Sequence, residues 1–216
     1  MKKTIRIAAL AAMLLPVSAM AESVDLNVIG TIIPTACIPA FAGGGTVDLR
    51  KISAATLNQT AQTILAGRDV SLTINCDAVA QVEVSVRDNR EATKLPGISD
   101  GTGQTDPALF FGLGDINGTR IGGFALRHGT PETDGTGRAL LTRASFLSPW
   151  QVPTSTLVRN APDLYSWGIS AATGPIGARH HAFPMHLLPI IGPSNALPIA
   201  NEIPLDGSVT FDIFYI

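Results

Sequence analysis

Hydrophobic positions in this chain recur every second residue, not every third or fourth. Val24, Leu26, Val28, Gly30 and Ile32 alternate with Asp25, Asn27, Ile29 and Thr31. Val70, Leu72, Ile74 and Cys76 alternate with Ser71, Thr73 and Asn75, and Val82, Val84 and Val86 alternate with Glu83, Ser85 and Arg87. Toward the C-terminus Val209, Phe211, Ile213 and Tyr215 alternate with Thr210, Asp212 and Phe214. Period two places successive side chains on opposite faces of an extended chain, so each run predicts a half-buried strand. Residues 108–113, 121–127, 165–171 and 182–188 are further strand candidates, separated by clusters of Gly, Pro, Asn and Asp. Residues 52–66 predict a turn or two of helix at most, because their Thr and Asn disfavour a long one. The stretches 94–106 and 128–138, rich in Gly, Thr and Asp, predict surface loops. Many short strands with this punctuation predict an all-β sandwich in a single folded domain, residues 35–216.

Composition narrows the class. The 216 residues are 45% hydrophobic and only 15% charged, which excludes intrinsic disorder. A formal net charge of −2 gives no electrostatic reason to expect nucleic acid or an anionic membrane as partner. At the N-terminus Lys2, Lys3 and Arg6 precede an apolar run over residues 7–15. Pro16 and the small-x-small sequence Ala19-Met20-Ala21 follow, the layout of a cleaved signal peptide over residues 1–21. The run is shorter than the ~20 residues of a membrane span, and no later stretch predicts one. Removing Lys2, Lys3 and Arg6 leaves 12 basic against 17 acidic side chains, a net charge of −5. Export through an oxidising compartment makes a Cys37–Cys76 disulfide the expected fate of the two cysteines.

Two segments then carry functional content. Residues 22–34 form an alternating extension ahead of the first cysteine, and such a segment either joins its own sheet or adds to the edge of a neighbour's. Residues 207–216 end in strand pattern, which predicts an apolar edge that something must cover.

Gly30-Thr31-Ile32-Ile33-Pro34-Thr35-Ala36-Cys37 resembles the start of chaperone–usher pilus subunits, where a glycine lies seven residues before the first cysteine. The second cysteine, on the strand ending at Cys76, and the alternating last strand with its penultimate Tyr215 are similar too. The hallmarks Asp88-Asn89-Arg90, Phe111-Gly112-Leu113-Gly114, Ile121-Gly122-Gly123 and Leu205-Asp206-Gly207-Ser208 resemble an uncharacterised fimbrial-like family often encoded beside periplasmic chaperone and usher genes. The resemblance runs from about Val24 to Ile216. It implies an immunoglobulin-like sandwich of pilin type lacking its final strand. The gap would be filled first by a periplasmic chaperone and then, after delivery to an outer-membrane usher, by the extension of a neighbouring subunit. Val24, Leu26, Val28 and Ile32 would be the donor's anchors, with Gly30 at a shallow point, and Val209, Phe211, Ile213 and Tyr215 would line the acceptor side. The expected product is a structural subunit of a surface pilus. The stretch 94–162 is longer than in ordinary shaft subunits, which favours a minor or tip-proximal position. The competing expectation is a self-contained secreted or periplasmic binding module, for carbohydrate or protein, whose own extension completes its sheet.

Catalytic and cofactor chemistry has little support. His180 and His186 share a strand face and His181 lies beside them, yet no HExxH spacing or matching carboxylate accompanies them. Asp115-Ile116-Asn117-Gly118 resembles part of a calcium loop, but Leu126 stands at the twelfth position, so a hairpin turn is expected instead. Gly43-Gly44-Gly45 lacks the Lys-Ser/Thr of a phosphate loop. Trp150 and Trp167 are candidates for a sugar platform, with core packing the competing reading. The expectation is no enzyme, no metal and no cofactor.

Overall fold

The computed structural model describes residues 26–31 and 36–216. The predicted signal peptide, Val24 and Ile32 lie outside the described residues. The chain divides into two units, Met1–Ile33 and Pro34–Ile216. Within the first, residues 26–31 take no regular secondary structure, and Leu26, Val28 and Ile29 are exposed. Alternation by itself supplies no ladder partner, and a strand needs one.

The described part of the second unit contains fourteen strands. They begin with β1 (Cys37–Phe41), β2 (Thr63–Ile64), β3 (Arg68–Ala80), β4 (Val82–Asp88) and β5 (Phe111–Gly112). The short hairpin β6 (Asp115–Ile116) and β7 (Thr119–Arg120) follows, then β8 (Gly122–His128), β9 (Glu132–Thr133) and β10 (Thr136–Gly137). The last four are β11 (Ala139–Arg143), β12 (Leu164–Gly168), β13 (Ala178–Ile191) and β14 (Val209–Tyr215). Every pairing is antiparallel. One sheet runs β1-β3-β13-β8-β5, with β2 and β9 also on β13, and a second runs β11-β12-β4-β14. No helix among the described residues is long and apolar enough to cross a membrane.

The predicted alternation becomes the core. Leu72, Ile74 and Cys76 of β3, Val82, Val84 and Val86 of β4, and Phe183 and Met185 of β13 are all buried in one cluster with Tyr165 and Trp167 of β12. Trp167 is fully enclosed, its ring 5.6 Å from that of Phe183. Each such side chain contributes about 1.5–3 kcal/mol on burial, so the pattern that predicted the strands also supplies the force joining the sheets.

Strand β13 carries Pro184 and Pro189 although it has neighbours on both sides, an arrangement that normally costs ladder bonds. Both prolines sit where no donor is needed. Gly129 N–H donates to Pro184 O, so the missing Pro184 N–H falls on that same side, in the gap between β9, which ends opposite Ala182, and β8, which begins opposite Met185. Leu65 N–H donates to Pro189 O beyond the last β3 pairing at Leu187. The strand therefore outruns the predicted 182–188.

Two predicted segments come out differently. Residues 108–113 are not one strand: a 3-10 turn, Pro107–Leu109, is capped by the Asp106 side chain, and only Phe111–Gly112 pairs. The expected loop 128–138 instead folds into β9 and β10, because the long β13 offers an edge on which two-residue pairs form. The Asn117-Gly118 turn between β6 and β7 is as expected, with both residues at positive φ.

The alternating Glu83 and Ser85 do not face water. The outer face of the second sheet is crossed by residues 144–150, pinned where Thr142 and Gln151 exchange two backbone hydrogen bonds of 2.8 Å. Beneath this strap Glu83 is fully buried, and the Arg143 guanidinium donates to its Oε2 at 2.6 and 3.0 Å. Arg143 also donates to the Phe146 carbonyl and lies 4.5 Å from the Trp150 ring. Burial pushes the Glu83 carboxyl above the ordinary carboxylate range, against the pull of Arg143, and Oε1 has no partner. Removing one member of a buried ion pair strands the other. Arg143→Leu should therefore cost about 3–5 kcal/mol in urea unfolding, and the double replacement Glu83→Leu/Arg143→Leu should recover most of that loss.

Candidate functional site

The two sheets each leave one long edge free among the described residues: β1 in the first and β14 in the second. These edges flank the same side of the sandwich. The Phe41 and Phe211 rings meet edge to face at 5.1 Å, and the Tyr215 hydroxyl accepts the Cys37 N–H at 3.0 Å. Pro39, between those two bridges, is exposed.

The disulfide holds the β1 side. Cys37 lies directly opposite Cys76 across the β1–β3 ladder and is bonded to it. Asp77 N–H donates to Ala36 O, so ladder bonds fall on the even positions of β1 while Cys37, Pro39 and Phe41 turn their backbone groups outward. Pro39 has no N–H to leave unpaired there, a common protection of an edge. Closing a chain separation of 39 residues is worth about 3–4 kcal/mol by the chain-entropy argument.

The β14 side is set by its pairing with β4. Asn89 N–H donates to Ser208 O and Ile216 N–H to Gln81 O, so even positions bond to β4. The odd positions Val209, Phe211, Ile213 and Tyr215 therefore point their N–H and C=O groups away, toward the free edge. Their side chains face the sandwich interior: Val209, Phe211 and Ile213 pack on the core while remaining only partly buried. Tyr215 is 54% exposed. One row of residues thus offers an unpaired backbone edge and an incompletely covered apolar face together. On the other face, Phe214 packs edge to face on Phe146 of the strap at 5.3 Å.

Of the predicted donor residues, Val24 and Ile32 lie outside the described residues. Leu26 and Val28 are each 89% exposed, and a Cβ added at Gly30 would meet no atom within 4 Å.

The other candidate chemistry disperses. His180 and His186 are on the solvent face of β13, their Nδ1 atoms 2.9 Å from Asn75 Oδ1 and 2.7 Å from Asp69 Oδ1. His181 points the opposite way and is buried. Among the described residues no group of three or more His, Cys, Asp or Glu is placed to hold a metal ion. Trp167 is core and Trp150 packs on Arg143, so the two indoles form no shared platform.

His181 has a structural role that its sequence position does not reveal. The Trp167 indole N–H donates to its Nδ1 at 2.9 Å, leaving the proton on Nε2, 3.2 Å from Ala178 O. Burial lowers its pKa below the ordinary imidazole value. The neutral ring is the folded form, so its contribution is fully present above about pH 6.5 and is lost as the pH falls through that value toward the depressed folded pKa. The urea midpoint of the wild type should fall on acidification below about pH 6.5 more steeply than that of His181→Gln; parallel pH profiles would remove this role.

A family described as protein of unknown function (DUF1120) matches residues 26–125, a span that includes β1, both cysteines, β3 and β4. The chain is also similar to Protein GltF of Escherichia coli (strain K12), at 28% identity over 236 aligned residues that cover 92% of each chain.

Proposed function

We propose that the chain is a structural subunit of a surface pilus or fimbria, assembled by donor-strand exchange after export, with a periplasmic chaperone and an outer-membrane usher as its assembly partners. The observation that carries this reading is the row Val209, Phe211, Ile213 and Tyr215, whose backbone edge is unpaired among the described residues and whose apolar side chains are half covered. A strand laid along β14 satisfies both deficits at once, by ladder bonds and by side chains directed inward. Residues 22–34 of a neighbouring copy have the matching pattern, with Val24, Leu26, Val28 and Ile32 on one side. Four aliphatic anchors supply roughly 6–12 kcal/mol before ordering costs. A contact in which each copy gives a strand and receives another does not close on itself, so it propagates into a fibre. The polymer role needs no catalytic group. The strap over residues 144–150 and the hairpin of β9 and β10 enlarge the middle of the chain, which favours a minor or tip-proximal position over the repeating shaft.

Produced alone in the periplasm, the protein should be degraded or aggregate, and co-expression of a cognate periplasmic chaperone should restore a soluble complex. Deleting residues 22–34 should leave chaperone capture intact and abolish incorporation into a fibre as donor. A verified monomer, stable without chaperone and showing hydrogen-exchange protection across residues 26–31, would instead establish a self-completed binding module.

A further inference from the structure

Three motifs far apart in the sequence meet at one corner of the second unit, where β4 ends and β14 begins: Asp88-Asn89-Arg90, Phe111-Gly112-Leu113-Gly114 and Leu205-Asp206-Gly207-Ser208. Buried Asp88 anchors the corner. Its carboxylate accepts the Arg90 N–H at 2.8 Å and the Gly112 N–H at 2.9 Å. Gly112 is required for this approach, since a Cβ there would lie 2.1 Å from the Arg90 carbonyl oxygen. Gly114, at φ +92°, passes beside Asp206, whose N–H donates to Leu113 O at 2.9 Å.

Asn89 and Arg90 are thereby aimed at the segment leading into β14. Arg90 grips Asp206 with two parallel bonds, Nε to Oδ2 at 2.8 Å and Nη2 to Oδ1 at 3.1 Å. Asn89 donates its backbone N–H to Ser208 O, and its Nδ2 to Ser208 Oγ at 3.0 Å and Thr210 Oγ1 at 2.9 Å. These contacts hold residues 206, 208 and 210, at the start of the strand whose odd positions 209, 211, 213 and 215 carry the free edge. A slip of one residue would turn the apolar row of this edge strand outward. The fork and the Asn89 contacts would all break on such a slip.

We infer that Asn89, Arg90 and Asp206 are positioning residues that lock the register of β14, keeping Val209, Phe211, Ile213 and Tyr215 presented for an added strand. The consequence for strand addition rests on the function proposed above; the lock itself does not. The test uses the full chain, refolded from urea with and without an excess of synthetic peptide spanning residues 22–34, with amide hydrogen exchange as readout. In the wild type the amides of Thr210, Asp212 and Phe214 should be protected and those of Phe211, Ile213 and Tyr215 should exchange until the peptide binds. The double variant Asn89→Ala/Arg90→Ala should lose this alternation while β3 and β13 stay protected, and should release the peptide at least ten-fold faster. Arg87→Ala breaks the 3.5 Å ion pair to Asp212 on the same strands and leaves the corner intact, so it should behave as wild type. Alternation retained in the double variant, or lost equally in Arg87→Ala, overturns the lock even where the wild type binds peptide. Alternation lost in the double variant with no peptide binding by the wild type upholds the lock and overturns strand addition.

Discussion

In an antiparallel ladder the N–H and C=O of a residue point to the same neighbour while its side chain goes to one face, so register fixes both directions together. The pairing of β14 on β4 is where this constraint has most effect. With Ser208 and Ile216 bonded to Asn89 and Gln81, the residues that pack on the core are also the ones whose backbone is left free. Shifted by one, the same strand would turn Thr210 and Asp212 inward and spend the backbone groups of its apolar row on β4. The disulfide does the equivalent for β1, since the Cys37–Cys76 bond admits only the pairing in which Cys37 and Phe41 face the interior.

The second sheet is held differently on its two faces, and β14 feels both. Inward, its side chains join a continuous apolar cluster whose cohesion tolerates small shifts. Outward, the strap over Glu83 and Arg143 makes directional contacts that do not: a buried carboxylate needs its guanidinium at hydrogen-bond distance, and the guanidinium is in turn placed by Trp150 and the Phe146 carbonyl. Phe146 then reaches Phe214. The last strand is accordingly fixed by its ladder, by the corner at Arg90 and by the strap, and it is free only along its outer edge.

Within the second unit the long alternating runs could be read from the chain, whereas the equally regular run through residues 26–31 takes no secondary structure. β3, β4 and β14 appear where Leu72, Val84 and Phe211 put them, and the expected Cys37–Cys76 disulfide is present. What escaped has a common physical cause: it depends on partners distant in sequence. The pairs of β9 and β10 are too short to carry a period and form because β13 supplies an edge. The two prolines of β13 argue against a central strand until the gaps between its neighbours are known. Glu83 reads as a solvent position because nothing in its own strand announces a strap 60 residues later. The corner motifs could be picked out individually, but the fork between Arg90 and Asp206 spans 116 residues and leaves no mark in either local pattern. The odd-numbered face of β14 was legible, whereas the outward direction of its backbone needed the register.

Under the proposed function the seam between β1 and β14 must open to admit a strand, and the magnitudes indicate that it does so cheaply. Closing it are the Tyr215 hydroxyl on the Cys37 N–H and the edge-to-face contact of Phe41 with Phe211. A hydrogen bond nets about 1 kcal/mol and an aromatic pair about 0.5–1.5 kcal/mol beyond its burial. An incoming strand replaces the first with ladder bonds of its own, and four inward anchors bring roughly 6–12 kcal/mol against the second. The tyrosine hydroxyl therefore works as a placeholder: it satisfies a β1 donor that would otherwise be left without a protein partner, yet it holds too little free energy to resist replacement. The rigid parts of this edge are its disulfide and its register. The part that must give way is held by its weakest contacts.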